Sequence, residues 1–453
     1  MKYCARPYEY LYLADDTGDI YLCPWMYRVN RESSIGNLLK DDIETCYNSD
    51  FANELRNSIE DQSFRYCRND ACPRIQNNSF EEITIEEYGN RKQERYYPIQ
   101  INLAYDFVCN QSCETCRQSI YIPPKDYEEK MEIIQQRIKP YLDTATVITT
   151  SGNGELFVQK HTIDLLSNLR PKNPSIEILL ETNGVYFDDA HWERISHLGK
   201  FNLKVVVTSN SFNEFTYKYI SRGGNYQKMM HNLGFMSELR NNNFIKELSH
   251  SFVIQDRNFR EIPEFIRKSF QDYSFDTVVL KPVYKWSSID DETFWFKDVL
   301  NPLHPYHSEY LEIMKDPILK DSRVFNFAGD MLHEARTYLS AILTIRYIFP
   351  YDLVKKNSKV VIYGAGQVGR EFVRQLKLNC YCNVVFWVDR SFKNERVSSP
   401  DCLLNMPQDD YDYIVLATTS GLYAEEMKCN LIDMKISEER IVSCIHEDGE
   451  KTK

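Results

Sequence analysis

Cys109, Cys113 and Cys116 share one short loop, three and then two residues apart, directly after the extended apolar run that begins at Ile99. Thiolates are soft ligands, and three of them this close can hold three irons of a cubic [4Fe–4S] cluster. Structural zinc normally takes four protein ligands, and no further Cys or His lies near this loop in the sequence. A set of three points to a cluster with one iron left open to a ligand.

A second cysteine group lies upstream. Cys4, Cys23, Cys67 and Cys72 bracket a segment in which Tyr10–Leu13 and Ile20–Cys23, joined across Asp15–Asp19 with Gly18, read as a β-hairpin. Phe51, Leu55 and Ile59 recur at helical spacing, so residues 50–59 form a short amphipathic helix. Four thiols around a hairpin and a helix suit a closed tetrathiolate site, either zinc or a second cluster. Cys46 falls outside this pattern and reads as a packed thiol. Cys380, Cys382, Cys402, Cys429 and Cys444 have no metal-like spacing.

The elements that must position the three-cysteine loop alternate regularly. Strand-like runs at 99–104, 146–150, 176–181, 203–208, 250–254 and 277–281 are separated by helical patterns at 127–141, 161–169, 189–198, 226–241 and 262–270. Such alternation implies parallel βα units, whose chemistry sits in loops at the C-terminal strand ends. The second such loop is Ser151-Gly152-Asn153-Gly154-Glu155 and the third is Thr182-Asn183-Gly184. Lys281, Tyr284 and Lys285 follow the last strand as ordinary rim residues, and Tyr105 and Asp106 are the nearest polar candidates beside the cysteine loop. No residue stands out as catalytic acid or base.

The Cys-x3-Cys-x2-Cys loop after a first strand resembles that of radical S-adenosylmethionine enzymes. The resemblance implies an open (β/α)6 partial barrel of TIM type over residues 95–285, with the open iron binding S-adenosylmethionine and electron transfer yielding a 5′-deoxyadenosyl radical. It implies that Gly152, Gly154 and Glu155 receive the methionyl amine, that Arg222 pairs the methionyl carboxylate, and that Ser209 and Asn210 bind the ribose. Leu156 replaces the family's usual proline, and Thr115 stands where relatives often carry an aromatic residue. The N-terminal cysteine segment, residues 1–85, is similar to the SPASM/twitch auxiliary-cluster module, with Cys4, Cys23, Cys67 and Cys72 as ligands. That module usually follows the barrel; here it precedes it.

Residues 286–356 are aromatic-rich and broken by prolines, as in a packed helical connector, with a helical stretch at 331–348. From Lys359 a buried strand leads into Gly364-Ala-Gly366-Gln-Val-Gly369, a helix, and a second strand ending at Asp389. This is a dinucleotide-binding fingerprint in strand–turn–helix context. Residues 357–447 thus form a Rossmann-like α/β domain, similar to small modules on enzymes of surface-glycan pathways. NAD or a nucleotide-sugar is a possible ligand, although half of a two-lobed fold suits docking or dimerisation better.

The chain has 453 residues, 43% hydrophobic and 26% charged, which suits two to four globular domains. A net charge of −12 argues against a nucleic-acid partner bound through its phosphates. No signal peptide or membrane span is evident, so the expected location is the cytoplasm, where 13 cysteines stay reduced. The function expected is an oxidoreductase that abstracts hydrogen from a hydroxylated or sugar-type small molecule, helped by an auxiliary [4Fe–4S] cluster and reduced by a donor such as flavodoxin or ferredoxin. A peptide-modifying maturase is the alternative. A nicotinamide-dependent dehydrogenase and a zinc-binding scaffold are alternatives of another class.

Overall fold

The computed structural model describes residues 1–27, 33–67, 72–76, 78–93, 95–150, 152–285, 288–302, 304–327, 347–391 and 397–443. Ser151, Cys444 and most of the helical stretch expected at 331–348 lie outside them. The chain folds into two compact units, one of residues 1–289 and 312–336, the other of 290–311 and 337–453.

The first unit is built on one ten-stranded sheet. Its strands are β1 (Tyr10–Leu13), β2 (Asp19–Tyr21), β3 (Gly36–Asn37), β4 (Gln100–Leu103), β5 (Val147–Thr150), β6 (Glu177–Thr182), β7 (Asn202–Thr208), β8 (Glu247–Ile254), β9 (Thr277–Pro282) and β10 (Val324–Asn326). The spatial order is β10-β9-β8-β7-β6-β5-β4-β1-β2-β3. From β1 through β10 every neighbouring pair is parallel except along the β1–β2–β3 meander, which is antiparallel. The N-terminal hairpin is therefore no detached lobe, because β1 pairs with β4 from Tyr10 opposite Gln100 to Leu13 opposite Leu103.

Strand alternation sorts the two faces. Ile101, Leu103, Ile148, Ile178, Leu180, Val205, Val207 and Leu248 are buried against the helices. Helix α1 (Tyr127–Leu142) adds Met131, Ile134, Ile138 and Leu142, and helix α2 (Tyr226–Asn241) adds Met229, Leu233 and Met236. The other face carries a separate cluster of Tyr12, Ala14, Tyr21 and Ala104. Helix α3 (Ile262–Gln271), with Pro263 in its first turn where a missing N–H costs nothing, packs outside β8.

The second unit carries a four-stranded parallel sheet of β11 (Lys359–Tyr363), β12 (Asn383–Val388), β13 (Tyr413–Leu416) and β14 (Ile441–Ser443), in the order β12-β11-β13-β14. Helix α4 (Gln367–Asn379) starts at the glycine turn. A Cβ on Gly369 would overlap the Gly364 carbonyl oxygen, so only glycine lets the helix lie this close to the strand end. Among the described residues no helix is long and apolar enough to cross a membrane.

Candidate cluster and cofactor site

The three cysteines sit in a loop whose backbone is fixed from two sides. Ser112 N–H donates to the Arg222 carbonyl and Glu114 N–H to the Ile220 carbonyl, both at 2.9 Å. Cys116 and Arg117 N–H groups donate to the Cys113 carbonyl at 2.9 and 3.1 Å, closing a helical turn. On the other side Glu155 N–H donates to the Val108 carbonyl at 2.9 Å, and Gln159 Nε2 donates to the Asp106 carbonyl at 2.6 Å. Two glycines make these approaches possible. A Cβ at Gly154 would meet the Val108 and Asp106 carbonyl oxygens at 2.5 and 2.7 Å, and one at Gly224 would meet Gln111 Nε2 at 2.7 Å. The loops after β4, β5 and β7 thus form one interlocked layer at the C-terminal strand ends.

Cys109, Cys113 and Cys116 are free, half-buried thiols. Gln111 N–H donates to Cys109 Sγ at 3.4 Å, and Cys113 Sγ bonds Gln111 Oε1 at 3.2 Å. Burial pushes the Cys109 thiol up to about 11 and the Cys113 thiol up to about 12, with the neighbouring cysteines adding to the rise. In the N-terminal segment burial first of all raises the Cys67 thiol to about 12, with Cys4, Cys23 and Cys72 adding to the rise. Among the described residues no three His, Cys, Asp or Glu side chains converge as a single ion requires. A cubane spreads its thiolate ligands over different irons, so the donor chemistry of both groups fits a cluster. Cys46 lies apart, packed against Gly36.

Glu155 is buried and its carboxylate is held by three donors: Thr182 Oγ1 at 2.6 Å, Asn183 N–H at 2.6 Å and Phe157 N–H at 3.4 Å. Burial outweighs them and raises the carboxyl to about 7. A proton bound more tightly in the folded than in the unfolded state stabilises the fold below the ordinary carboxylate range. That contribution is lost as pH rises and is gone above about 7. We expect Glu155→Gln to flatten this part of the stability–pH curve, an effect on the order of 3 kcal/mol by denaturation at pH 4.5 against pH 8; an unchanged curve would show that Glu155 is ionised throughout.

Other expected residues lie differently. Arg222 donates from Nε to the Ser112 carbonyl at 2.8 Å and from Nη2 to the Arg117 carbonyl at 3.0 Å, so it clamps the cysteine loop itself. Ser209 is buried and its hydroxyl bonds His250 Nε2 at 2.7 Å, on the helix side of the sheet; the alternation from Val205 and Val207 carries that signal. Asn210 Oδ1 accepts from Val253 N–H at 2.8 Å. Gly152 has φ +59°, and its Cβ position lies 3.8 Å from Glu181 Oε2. Tyr105 and Asp106 are buried beneath the loop, where Asp106 Oδ1 accepts from Val108 N–H at 2.9 Å. Lys285 Nζ is turned to the Ile289 carbonyl.

Two features have no local sequence signal. Parallel register and alternation put Asn102, Thr149, Glu181, Thr208, Ser251 and Lys281 on the sheet face opposite the helices. Asn153 Nδ2 donates to the carbonyls of Ala14 and Ala104, joining the N-terminal hairpin to the glycine loop. In the second unit, Asp389 Oδ2 accepts from Ala365 N–H at 2.7 Å, and Trp387 Nε1 donates to the Gly364 carbonyl at 2.8 Å. Gly366 forms the N-cap of α4.

Residues 107–268 match the family model of the radical SAM superfamily, and residues 4–73 match that of the SPASM iron–sulfur cluster-binding domain. The central segment belongs to the radical SAM superfamily. Its match begins just before the cysteine loop and runs into α3, and the SPASM match spans Cys4 to Cys72, ahead of the radical SAM segment. No curated protein matches the chain. Among solved structures, a tagged form of anSMEcpe with bound AdoMet is 16% identical, with 50% of this chain and 60% of that one covered and a TM-score of 0.34. Streptococcus suis SuiB bound to S-adenosylmethionine is 14% identical, with 61% and 60% covered and a TM-score of 0.33. HydG, a maturase of the [FeFe]-hydrogenase, is 13% identical, with 54% and 57% covered and a TM-score of 0.29. The chain spans about three fifths of the length of these proteins.

Proposed function

We propose that this protein is a radical S-adenosylmethionine enzyme with two [4Fe–4S] clusters that oxidises a small hydroxylated or sugar-type substrate. The observation that carries the reading is the interlocked layer of loops holding Cys109, Cys113 and Cys116 beside Glu155, within a segment of radical SAM sequence. When bound, a cluster with one open iron supplies the electron that cleaves S-adenosylmethionine to a 5′-deoxyadenosyl radical.

The chain's residues take the remaining tasks. Ionised Glu155, held by Thr182 and Asn183, accepts hydrogen bonds from the methionyl amino group, so affinity for the cofactor rises as pH passes upward through about 7. Gly152 and Gly154 give it backbone room. Arg222 offers a guanidinium for the methionyl carboxylate while fixing the cysteine loop. Cys4, Cys23, Cys67 and Cys72 hold the auxiliary cluster in place of zinc. The polar side chains of the inner sheet face, Glu181 and Lys281 among them, support a polar substrate over an apolar one.

The second unit is read as a Rossmann-like module, supported by its parallel strand order, the Gly364–Gly369 turn and Asp389 at the end of β12. Asp389 and Trp387 already spend polar atoms on the glycine loop, which favours docking over a nicotinamide or nucleotide-sugar site.

The test is anaerobic reconstitution with iron and sulfide, then addition of S-adenosylmethionine and dithionite. About eight irons per chain and formation of 5′-deoxyadenosine are expected from two cubanes. Cys67→Ala is expected to lose about four irons and retain 5′-deoxyadenosine formation. Unchanged iron in that variant would remove Cys67 from the ligand set, and a colourless zinc protein would sink the reading as a whole.

A further inference from the structure

Arg117 follows the last cysteine of the loop, and its position has no counterpart in the expectations drawn from the sequence. Its Nη1 donates to the Phe107 carbonyl at 2.7 Å and its Nη2 to the Asn153 carbonyl at 3.1 Å. Phe107 leads into the cysteine loop, and Asn153 lies in the glycine loop after β5, so one guanidinium bridges both walls of the site. Its backbone N–H, donating to the Cys113 carbonyl at 3.1 Å, keeps it in the same helical turn as two of the thiols.

Both fixed carbonyls are neutral, so they orient Arg117 without cancelling its charge. That charge is half-buried and acts on Cys109, Cys113 and Cys116. Shielding from solvent leaves such an interaction less screened than at the surface. Arg222, the other cation at this loop, is exposed.

We propose that Arg117 is a positioning residue that raises the reduction potential of the cluster held by Cys109, Cys113 and Cys116. The inference rests on the cluster reading given above. One-electron reduction adds a negative charge to the cluster, and a fixed neighbouring cation stabilises the reduced form more than the oxidised form. The electron comes from the external reductant, and Arg117 keeps its proton throughout.

The experiment is an EPR-monitored redox titration of the reconstituted full-length protein, in a Cys67→Ala background that leaves the barrel cluster alone. Arg117→Gln keeps one amide donor and removes the charge; Arg117→Lys keeps the charge and removes the fork. Arg117→Gln is expected to shift the reduction equilibrium at least tenfold toward the oxidised form, a midpoint lower by about 59 mV for one electron, with Arg117→Lys near the parent. Iron retained by Arg117→Lys at the parent midpoint, but lost from Arg117→Gln, would likewise support the charge. An unshifted midpoint in Arg117→Gln would overturn the inference, as would equal loss of iron from both variants, which marks a purely geometric role. Failure of the parent protein to take up iron would instead overturn the cluster reading itself.

Discussion

Cys113→Ala is expected to lower the iron content by about four per chain and to bring 5′-deoxyadenosine formation down to the level without enzyme. A cubane attached through two thiolates has two open irons and dissociates readily, because each thiolate contributes a separate iron bond. The loop itself should survive. Its backbone is held by Ser112 and Glu114 donating to the carbonyls of Arg222 and Ile220, contacts that do not use the Cys113 sulfur. The variant should therefore unfold at nearly the same denaturant concentration as the parent metal-free protein, and its N-terminal iron should remain. Iron assay, EPR and product chromatography read the outcome. Continued 5′-deoxyadenosine formation would falsify the assignment of this loop.

Gly154→Ala is expected to damage both the fold of the first unit and its cluster loop. The added Cβ would overlap Gln159 Nε2 and stand 2.5 Å from the Val108 carbonyl oxygen and 2.7 Å from that of Asp106. The Gln159 amide can rotate away, although it then gives up its bond to the Asp106 carbonyl. The two carbonyls are main chain and belong to the approach to Cys109, so relief requires moving the cysteine loop. Overpacking of this kind costs about 1–3 kcal/mol, and the displaced loop should also lose its cluster. Chemical denaturation of the metal-free protein and iron content after reconstitution measure the two effects separately. Normal stability with full iron would mean that the two loops do not pack as described.

The βα units are legible in the sequence because their signals are local. Apolar residues recur along 226–241 and 262–270 with a helical period, and the strands between them are short apolar runs, so most elements appear within a residue or two of their expected places; the strand expected at 250–254 begins three residues earlier, at Glu247, and the helix expected at 189–198 ends at Ile195, where a 3-10 turn takes over. The helix Glu214–Ile220 carries no such signal: Phe215, Tyr217 and Tyr219 give it no clean period, and its start depends on Asn213 capping the N–H groups of Phe215 and Thr216. The cysteine loop and the glycine–glutamate loop are legible as residue types at set spacings. The commitments of individual side chains are not. Ser209 bonds His250, and Arg222 bonds the carbonyls of Ser112 and Arg117, partners distant in sequence.

By itself the sequence singled out the residues proposed to carry chemistry: two groups of thiols, a glutamate behind glycines, and a glycine turn at the head of a parallel sheet. These follow from ligand chemistry and backbone freedom, which depend on a residue and its near neighbours. Only the tertiary structure decided how they are assembled. Pairing of Tyr10–Leu13 with Gln100–Leu103 merges the N-terminal hairpin with the parallel sheet of the βα units, although it precedes those units in the chain. Burial raises the Glu155 carboxyl to about 7, and a guanidinium lies across two loops beside the thiols. Pairing, burial and Coulomb interaction act between residues far apart in sequence, so they exist only once the chain has closed on itself.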